Sequence, residues 1–226
     1  MNILVIVSHP DDEVLGCGGS ICRFARAGQD VHIAIMSRGL GARYNEDHEV
    51  PEELLQAISR QSDAVAKQLG ARQLILHDLP DNRFDTIPLL KIVKIIEGLI
   101  STVHPEIIIT HHGGDLNVDH RRVFQATVTA TRPAGPALVR DLYSCEIPSS
   151  TEWAFQHTGH AFRPNVFIDI TETLEEKIRA LQAYESEVRA FPHPRSPEAV
   201  RVTAQRWGTV CGCRSAEAFE LIRSIR

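Results

Sequence analysis

His9-Pro10-Asp11-Asp12-Glu13 sets one imidazole and three carboxylates within five residues, directly after the run Ile3-Leu4-Val5-Ile6-Val7 and Ser8. A neutral imidazole and a carboxylate this close can hold a divalent metal and leave a neighbouring carboxylate free as a base. The same residues also suit the acidic first turn of a helix after a proline, where carboxylates complement the helix dipole. A second cluster, His111-His112-Gly113-Gly114-Asp115-Leu116-Asn117-Val118-Asp119-His120, follows Glu106-Ile107-Ile108-Ile109-Thr110. Three protein ligands of His/Asp type, with a fourth position left to water, would make a catalytic zinc site.

Each cluster follows a short leucine and β-branched run that reads as a strand buried on both faces. Open α/β sheets place their ligand crevices at the carboxyl ends of such strands. Between and beyond the clusters the chain alternates. Cys17, Ile21, Phe24 and Ala25 mark one face of a first helix ending near Gly28, followed by a strand over 31–36. A helix over 52–69 is closed by Gly70, and 73–77 reads as a strand. Leu89, Ile92, Val93, Ile96, Leu99 and Ile100 make a helical stripe, and Val123, Ala126, Thr127 and Ala130 another. Strands are expected over 138–144 and 166–170. A late helix opens on the capping box Thr173-Leu174-Glu175-Glu176 and buries Leu174, Ile178, Leu181 and Val188. Residues 215–226 read as a short helical end that offers an interface. The expected architecture is α/β, a Rossmann-like, mostly parallel sheet with helices on both faces and a metal site at the carboxyl ends of the strands. Residues 1–226 are expected to form one domain.

The composition excludes several classes. A chain of 226 residues with 43% hydrophobic content can bury one sizeable core. A net charge of −5 without a long Lys/Arg block argues against a nucleic-acid partner. No apolar stretch approaches the length of a membrane helix, and Met1-Asn2 runs into the first strand without a basic leader, so a cytoplasmic protein is expected. The five cysteines are odd in number and scattered. Cys211-Gly212-Cys213 has the wrong spacing for a zinc knuckle or a thioredoxin-like motif, so reduced, mostly buried thiols are expected. Gly16-Cys17-Gly18-Gly19 fails as a dinucleotide fingerprint, because Ile21 stands where the last glycine is needed and the acidic pentapeptide would repel a pyrophosphate. Small residues there let the helix pack close to the sheet instead. No Gly-x-Ser-x-Gly elbow occurs.

His-Pro-Asp-Asp-Glu ending a first strand and Asp119-His120 opening a mid-chain helix resemble the PIG-L/LmbE-like zinc de-N-acetylases, which remove acetyl groups from N-acetylglucosaminyl compounds. Leu69-Gly70, Asp81-Asn82-Arg83, Glu146 and Tyr184-Glu185-Ser186 extend the resemblance over nearly the whole chain. It implies His9, Asp12 and His120 as metal ligands, Asp11 as general base, and Zn²⁺ as the metal, with Fe²⁺, Co²⁺ or Mn²⁺ able to use the same ligands. It further implies Arg43 and Asp81 as contacts to a small N-acetylated sugar substrate, Glu146 on the far wall, and homo-oligomers such as trimers or hexamers. One departure stands out: many relatives carry a second histidine three residues before the Asp-His equivalent, and this chain has Asn117. Asn117 can donate to an oxyanion or cap the next helix, but it cannot act as an acid. His111, His112 and His193 are the candidates for the missing acid, and the Pro-flanked His193 is favoured. Trp153 and Trp207 offer faces for sugar stacking or core packing. Two rival readings are a hydratase acting on an unsaturated acid with the same metal and base, and a non-catalytic metal- or sugar-binding protein; the intact Asp11 argues against the second.

Overall fold

Ile3, Val5 and Val7 enter one apolar layer and Leu4 and Ile6 the other, so the first strand is buried on both faces, as its composition requires. The computed structural model describes residues 1–44, 50–133, 139–155 and 161–226. Strand β1 (Asn2–Val7) lies inside a seven-stranded sheet of order β3-β2-β1-β4-β5-β7-β6. Strands β2 (Asp30–Ile35), β3 (Gln73–Leu76), β4 (Ile107–His111) and β5 (Asp141–Cys145) extend it in parallel. Strands β6 (Val166–Asp169) and β7 (Ala216–Ser224) close the far edge antiparallel.

Helices α1 (Asp12–Arg26), α2 (Glu52–Gln68) and α5 (Leu174–Ala183) cover one face through Val14, Ile21, Ile58, Val65 and Leu181. Helices α3 (Leu89–Val103) and α4 (Val118–Ala130) cover the other through Ile92, Ile96, Val123 and Ala126. The chain leaves β1 for β2 and β3 on one side, then returns to lay β4 on the other. That reversal opens a crevice beyond the carboxyl ends of β1 and β4, where both motifs emerge.

Helix α1 is broken at Cys17, whose φ is −150°. A Cβ on Gly16 would stand 2.6 Å from Cys145 Sγ, and one on Gly19 would stand 2.8 Å from Ile170, so glycine is what lets α1 seat on its neighbours. At the break the Gly19 and Ser20 N–H groups donate to the buried Glu217 carboxylate at 3.0 and 2.7 Å. Lys177 Nζ answers the charge at 2.6 Å and also donates to Leu15 O at 2.9 Å. A buried ion pair is tolerated only when its remaining hydrogen-bonding capacity is met, and here it ties the two halves of α1 together across the break.

Four expectations change. Residues 216–224 form a strand rather than a helix, since pairing on both edges, with β5 and β6, overrides the local helix propensity of an Ala/Glu/Leu stretch; the segment is interior and offers no helical interface. The strand expected from residue 138 is seen as β5 from Asp141, Leu138 lying outside the described residues. Helix α5 ends at Ala183, leaving Val188 packed on the core from a loop, and Thr173 makes no cap because its Oγ1 donates to Gly19 O at 2.8 Å. Helix α6 (Pro197–Cys211) was not anticipated, although Ser196 caps it, Pro197 opens it, and Val200, Ala204 and Gly208 face inward at i+4 spacing.

Candidate metal centre and active site

Asp11 is the N-cap of α1 and holds a left-handed backbone with φ 94°, a costly conformation for a residue other than glycine. Glu13 braces it. Its Oε2 accepts the Asp11 N–H at 3.1 Å, and its Oε1 accepts Tyr184 Oη–H at 2.6 Å. Burial pushes the Glu13 carboxyl up to about 7. This turn sends Asp12 inward, where its Oδ2 accepts the His9 N–H at 2.9 Å, and exposes one side of Asp11 to the crevice.

From the β4 side, Asn117 caps α4 by accepting the Asp119 N–H at 2.8 Å, which carries His120 into the same corner. His120 Nε2 stands 3.3 Å and His9 Nδ1 3.4 Å from Asp12 Oδ2. The far nitrogen of each ring faces another carboxylate: His120 Nδ1 lies 3.1 Å from Asp115, and His9 Nε2 lies 3.0 Å from Asp119. Such carboxylates fix the tautomer and aim the opposite nitrogen at a metal. Asp115 is itself pinned by Thr151 Oγ1 at 2.6 Å, by Ser150 and by the Asn117 N–H at 2.8 Å.

Among the described residues two donor sets fall within 4.8 Å, namely His9, Asp12 and His120, and His9, Asp81 and Asp119. The second is already spent. Asp119 accepts the Asn82 and Phe84 N–H groups at 2.7 and 2.9 Å, and Asp81 accepts the Ala42 N–H at 2.8 Å. In the first set His120 Nε2 faces Asp12, and Asp12 Oδ1 is buried without a hydrogen-bond partner among the described residues. Groups left so in a protein interior call for an explanation, and a divalent cation fits these oxygen and imidazole donors.

His111 stacks flat on His120, with centroids 3.9 Å apart, and accepts the Ser8 N–H on Nε2 at 2.8 Å. Burial and the neighbouring His120 press its pKa down to about 3. It is a neutral wedge behind His120, unsuited to giving a proton at neutral pH. His112 turns away to Glu220 at 2.8 Å and lines a different cleft.

Comparison with known proteins fits this geometry. The family model described as PIG-L, GlcNAc-PI de-N-acetylase, matches residues 4–131, more than half of the chain. The chain belongs to the PIG-L family. A diacetylchitobiose deacetylase of Thermococcus kodakarensis is 26% identical over 230 residues, covering 99% of this chain and 84% of its own. The N,N'-diacetylchitobiose deacetylase of Pyrococcus horikoshii superposes with a TM-score of 0.77 at 20% identity, covering 98% and 83% of the two chains. The 4-carboxy-2-hydroxymuconate hydratase of Pseudomonas putida does so with 0.75 at 22% identity, covering 100% and 97%.

In this PIG-L chain the crevice is walled by His9, Asp11, Arg43, Asp81, Asn117 and Arg195, among others. Arg43 is paired with Glu187 across it, and Arg38 is held by both oxygens of Asp78 at 2.9 Å. Asn117 also donates from Nδ2 to Asn82 at 2.9 Å. Two expected residues stand elsewhere. Glu146 accepts Trp207 Nε1–H and lines a separate cavity of about 20 Å³, room for a water rather than a sugar. His193 sits edge-on to Trp153 with centroids 5.4 Å apart, its Nδ1 accepting the Arg195 N–H at 3.1 Å, and it is absent from the crevice lining. The residue that reaches in is Arg195, whose Nη1 donates to Asp11 Oδ2 at 3.0 Å. Sequence reasoning missed Arg195 and the supporting pair Asp115 and Asp119. Asp115 and Asp119 stood inside the second motif and carried a signal; Arg195 carried none beyond the Pro-flanked loop.

Proposed function

We propose that the chain is a metal-dependent hydrolase that removes an acetyl group from an N-acetylated amino sugar or its conjugate. The observation that carries this reading is the corner where His9 and His120, each backed by a carboxylate, turn their free nitrogens to Asp12, beside an Asp11 that opens to the crevice. His9, Asp12 and His120 would hold the ion, with Zn²⁺ best suited to mixed His/Asp ligation. When bound, the ion supplies Lewis acidity, polarising the acetamide carbonyl and acidifying water at the site.

Asp11 takes the proton from the water that attacks the acyl carbon. With His193 outside the crevice and His111 held neutral, Asp11 also returns that proton to the nitrogen as the C–N bond breaks and acetate leaves. Arg195 fixes the Asp11 carboxylate through this exchange. Asn117 keeps one amide proton free after bonding Asn82, enough to donate to the substrate. Arg43 and Asp81 line the space a sugar ring would fill.

A hydratase shares this scaffold, so the fold alone does not discriminate; the family match over the motif-bearing residues favours deacetylation. No helix among the described residues is long and apolar enough to cross a membrane. The test is metal analysis of purified protein together with acetate release from a panel of N-acetylglucosaminides and consumption of an unsaturated dicarboxylate. About one zinc per chain and acetate release are expected. Absence of metal, with none taken up on titration, overturns the reading.

A further inference from the structure

Cys211 and Cys213 flank Gly212 at the carboxyl end of α6, and their Sγ atoms touch at 3.4 Å. Gly212 is left-handed, with φ 82°, and ends the helix. The N–H groups of Gly212 and Cys213 both return to Gly208 O, at 2.8 and 3.0 Å. A Cβ on Gly208 would stand 2.7 Å from the backbone of Cys213 and Arg214, so the last turn of α6 rests directly on the returning chain. The backbone between the two cysteines is thus held, and on it the side chains bring their sulfurs into contact. Cys211 is exposed and Cys213 partly so, whereas Cys17, Cys22 and Cys145 are buried. Neither thiol lines the crevice.

Two chemistries suit a pair of accessible thiols in contact. A zinc site needs further ligands, and among the described residues the potential metal clusters all centre on His9. Thiol–disulfide exchange needs only the pair. We propose that Cys211 and Cys213 form a dithiol modification site, which low-molecular-weight disulfides of the glutathione type oxidise to an intramolecular disulfide.

The Cys211 thiolate attacks one sulfur of the small disulfide, forming a mixed disulfide and expelling one thiolate. Cys213 then loses its proton and attacks Cys211 Sγ, forming the internal bond and expelling the second thiolate. Two protein thiols and one disulfide become one protein disulfide and two small thiols, which carry off both protons. A sulfur–sulfur bond is about 2.05 Å long, so the atoms close by about 1.4 Å. The order of attack follows from access and acidity. Partial burial, the Cys211 contact and the Asp169 carboxylate push the Cys213 thiol up to about 11, which leaves the exposed Cys211 as the first nucleophile.

The test treats reduced full-length protein with oxidised glutathione, digests it with trypsin and reads the peptide spanning 207–214, which holds both cysteines. In the wild type this peptide should lose two hydrogens and resist alkylation, while Cys213→Ser should keep one glutathione on Cys211. A wild-type peptide that keeps glutathione as a stable adduct, or that stays fully alkylatable while Cys213→Ser reacts, overturns the proposal. The outcome is independent of the deacetylase reading.

Discussion

Arg195 Nη1 lies 3.0 Å from Asp11 Oδ2 in a corner that also holds Asp12, Glu13 and Glu187. Burial pushes the Asp11 carboxyl up, Arg195 opposes it, and the surrounding carboxylates add to the rise, leaving it well above the usual range. Arg195 is thus the counterweight that holds the Asp11 carboxylate in a cluster of like charge. Arg195→Ala should lower kcat by at least about tenfold, a loss of about 1.4 kcal/mol in transition-state stabilisation, with metal content unchanged. Arg195→Lys should recover part of the loss, because it restores the charge without the planar fork. Steady-state kinetics with metal analysis checks this; an unaltered kcat in Arg195→Ala would mean that Asp11 needs no such partner.

The two adjacent carboxylates separate by readout. Asp11→Asn should keep its metal and lose about two to four orders of magnitude in kcat, the worth of a positioned general base. His9→Ala, Asp12→Ala and His120→Ala should lose metal as well as activity. If Asp11→Asn shed the metal while Asp12→Asn kept it, the assignment of base and ligand would be reversed.

His193 provides a sharper discrimination. Its ring packs on Trp153 and serves Arg195 only through a backbone N–H. His193→Ala should therefore lose less than about fivefold in kcat, under the loss in Arg195→Ala, since one neutral hydrogen bond is worth about 1 kcal/mol or less. A drop of two orders of magnitude with a shifted alkaline limb of the pH profile would make His193 the proton donor after all.

Contiguity explains what the sequence revealed. The β1 and β4 runs are apolar without interruption, and each delivers its motif within a few residues, so the sheet and its crevice could be read along the chain, while the family resemblance picked out His9, Asp12 and His120, whose ligand atoms lie within 4.8 Å of one another. Arg195 stands 184 residues from Asp11 in a loop without periodicity; only the packing of α5 and α6 brings it back. Strand β7 shows the same limit, for its pairing with β5 and β6 is non-local and its composition suits a helix. Glu13 was read simply as part of an acidic turn, yet it works as a brace because Tyr184, from the far end of α5, meets it at 2.6 Å.

Metal uptake should release protons. In the metal-free protein burial disfavours a charged His120, but Asp12 and Asp115 outweigh it and hold the ring up to about 9, while Asp119, Asp12 and Asp81 raise His9 against the same burial. The His120 ring is thus protonated at pH 7.5 and His9 is biased the same way, and a metal binds only the neutral imidazole. Calorimetry at pH 7.5 in two buffers of different ionisation enthalpy should show protons leaving as zinc binds, with the apparent affinity climbing as pH rises toward about 9. The metal-free stability runs the opposite way. A folded pKa above the ordinary value of 6.5 adds stability that is complete below that pH and is lost as pH rises through about 9, so the Tm of apoprotein should fall across this window. Asp115→Asn removes one of the carboxylates that hold the proton on His120, and should reduce the proton release while weakening zinc about 10- to 100-fold, the usual cost of losing a carboxylate behind a ligating histidine. Zinc binding with no proton release at pH 7.5 in the wild type would remove His120 from the ligand set.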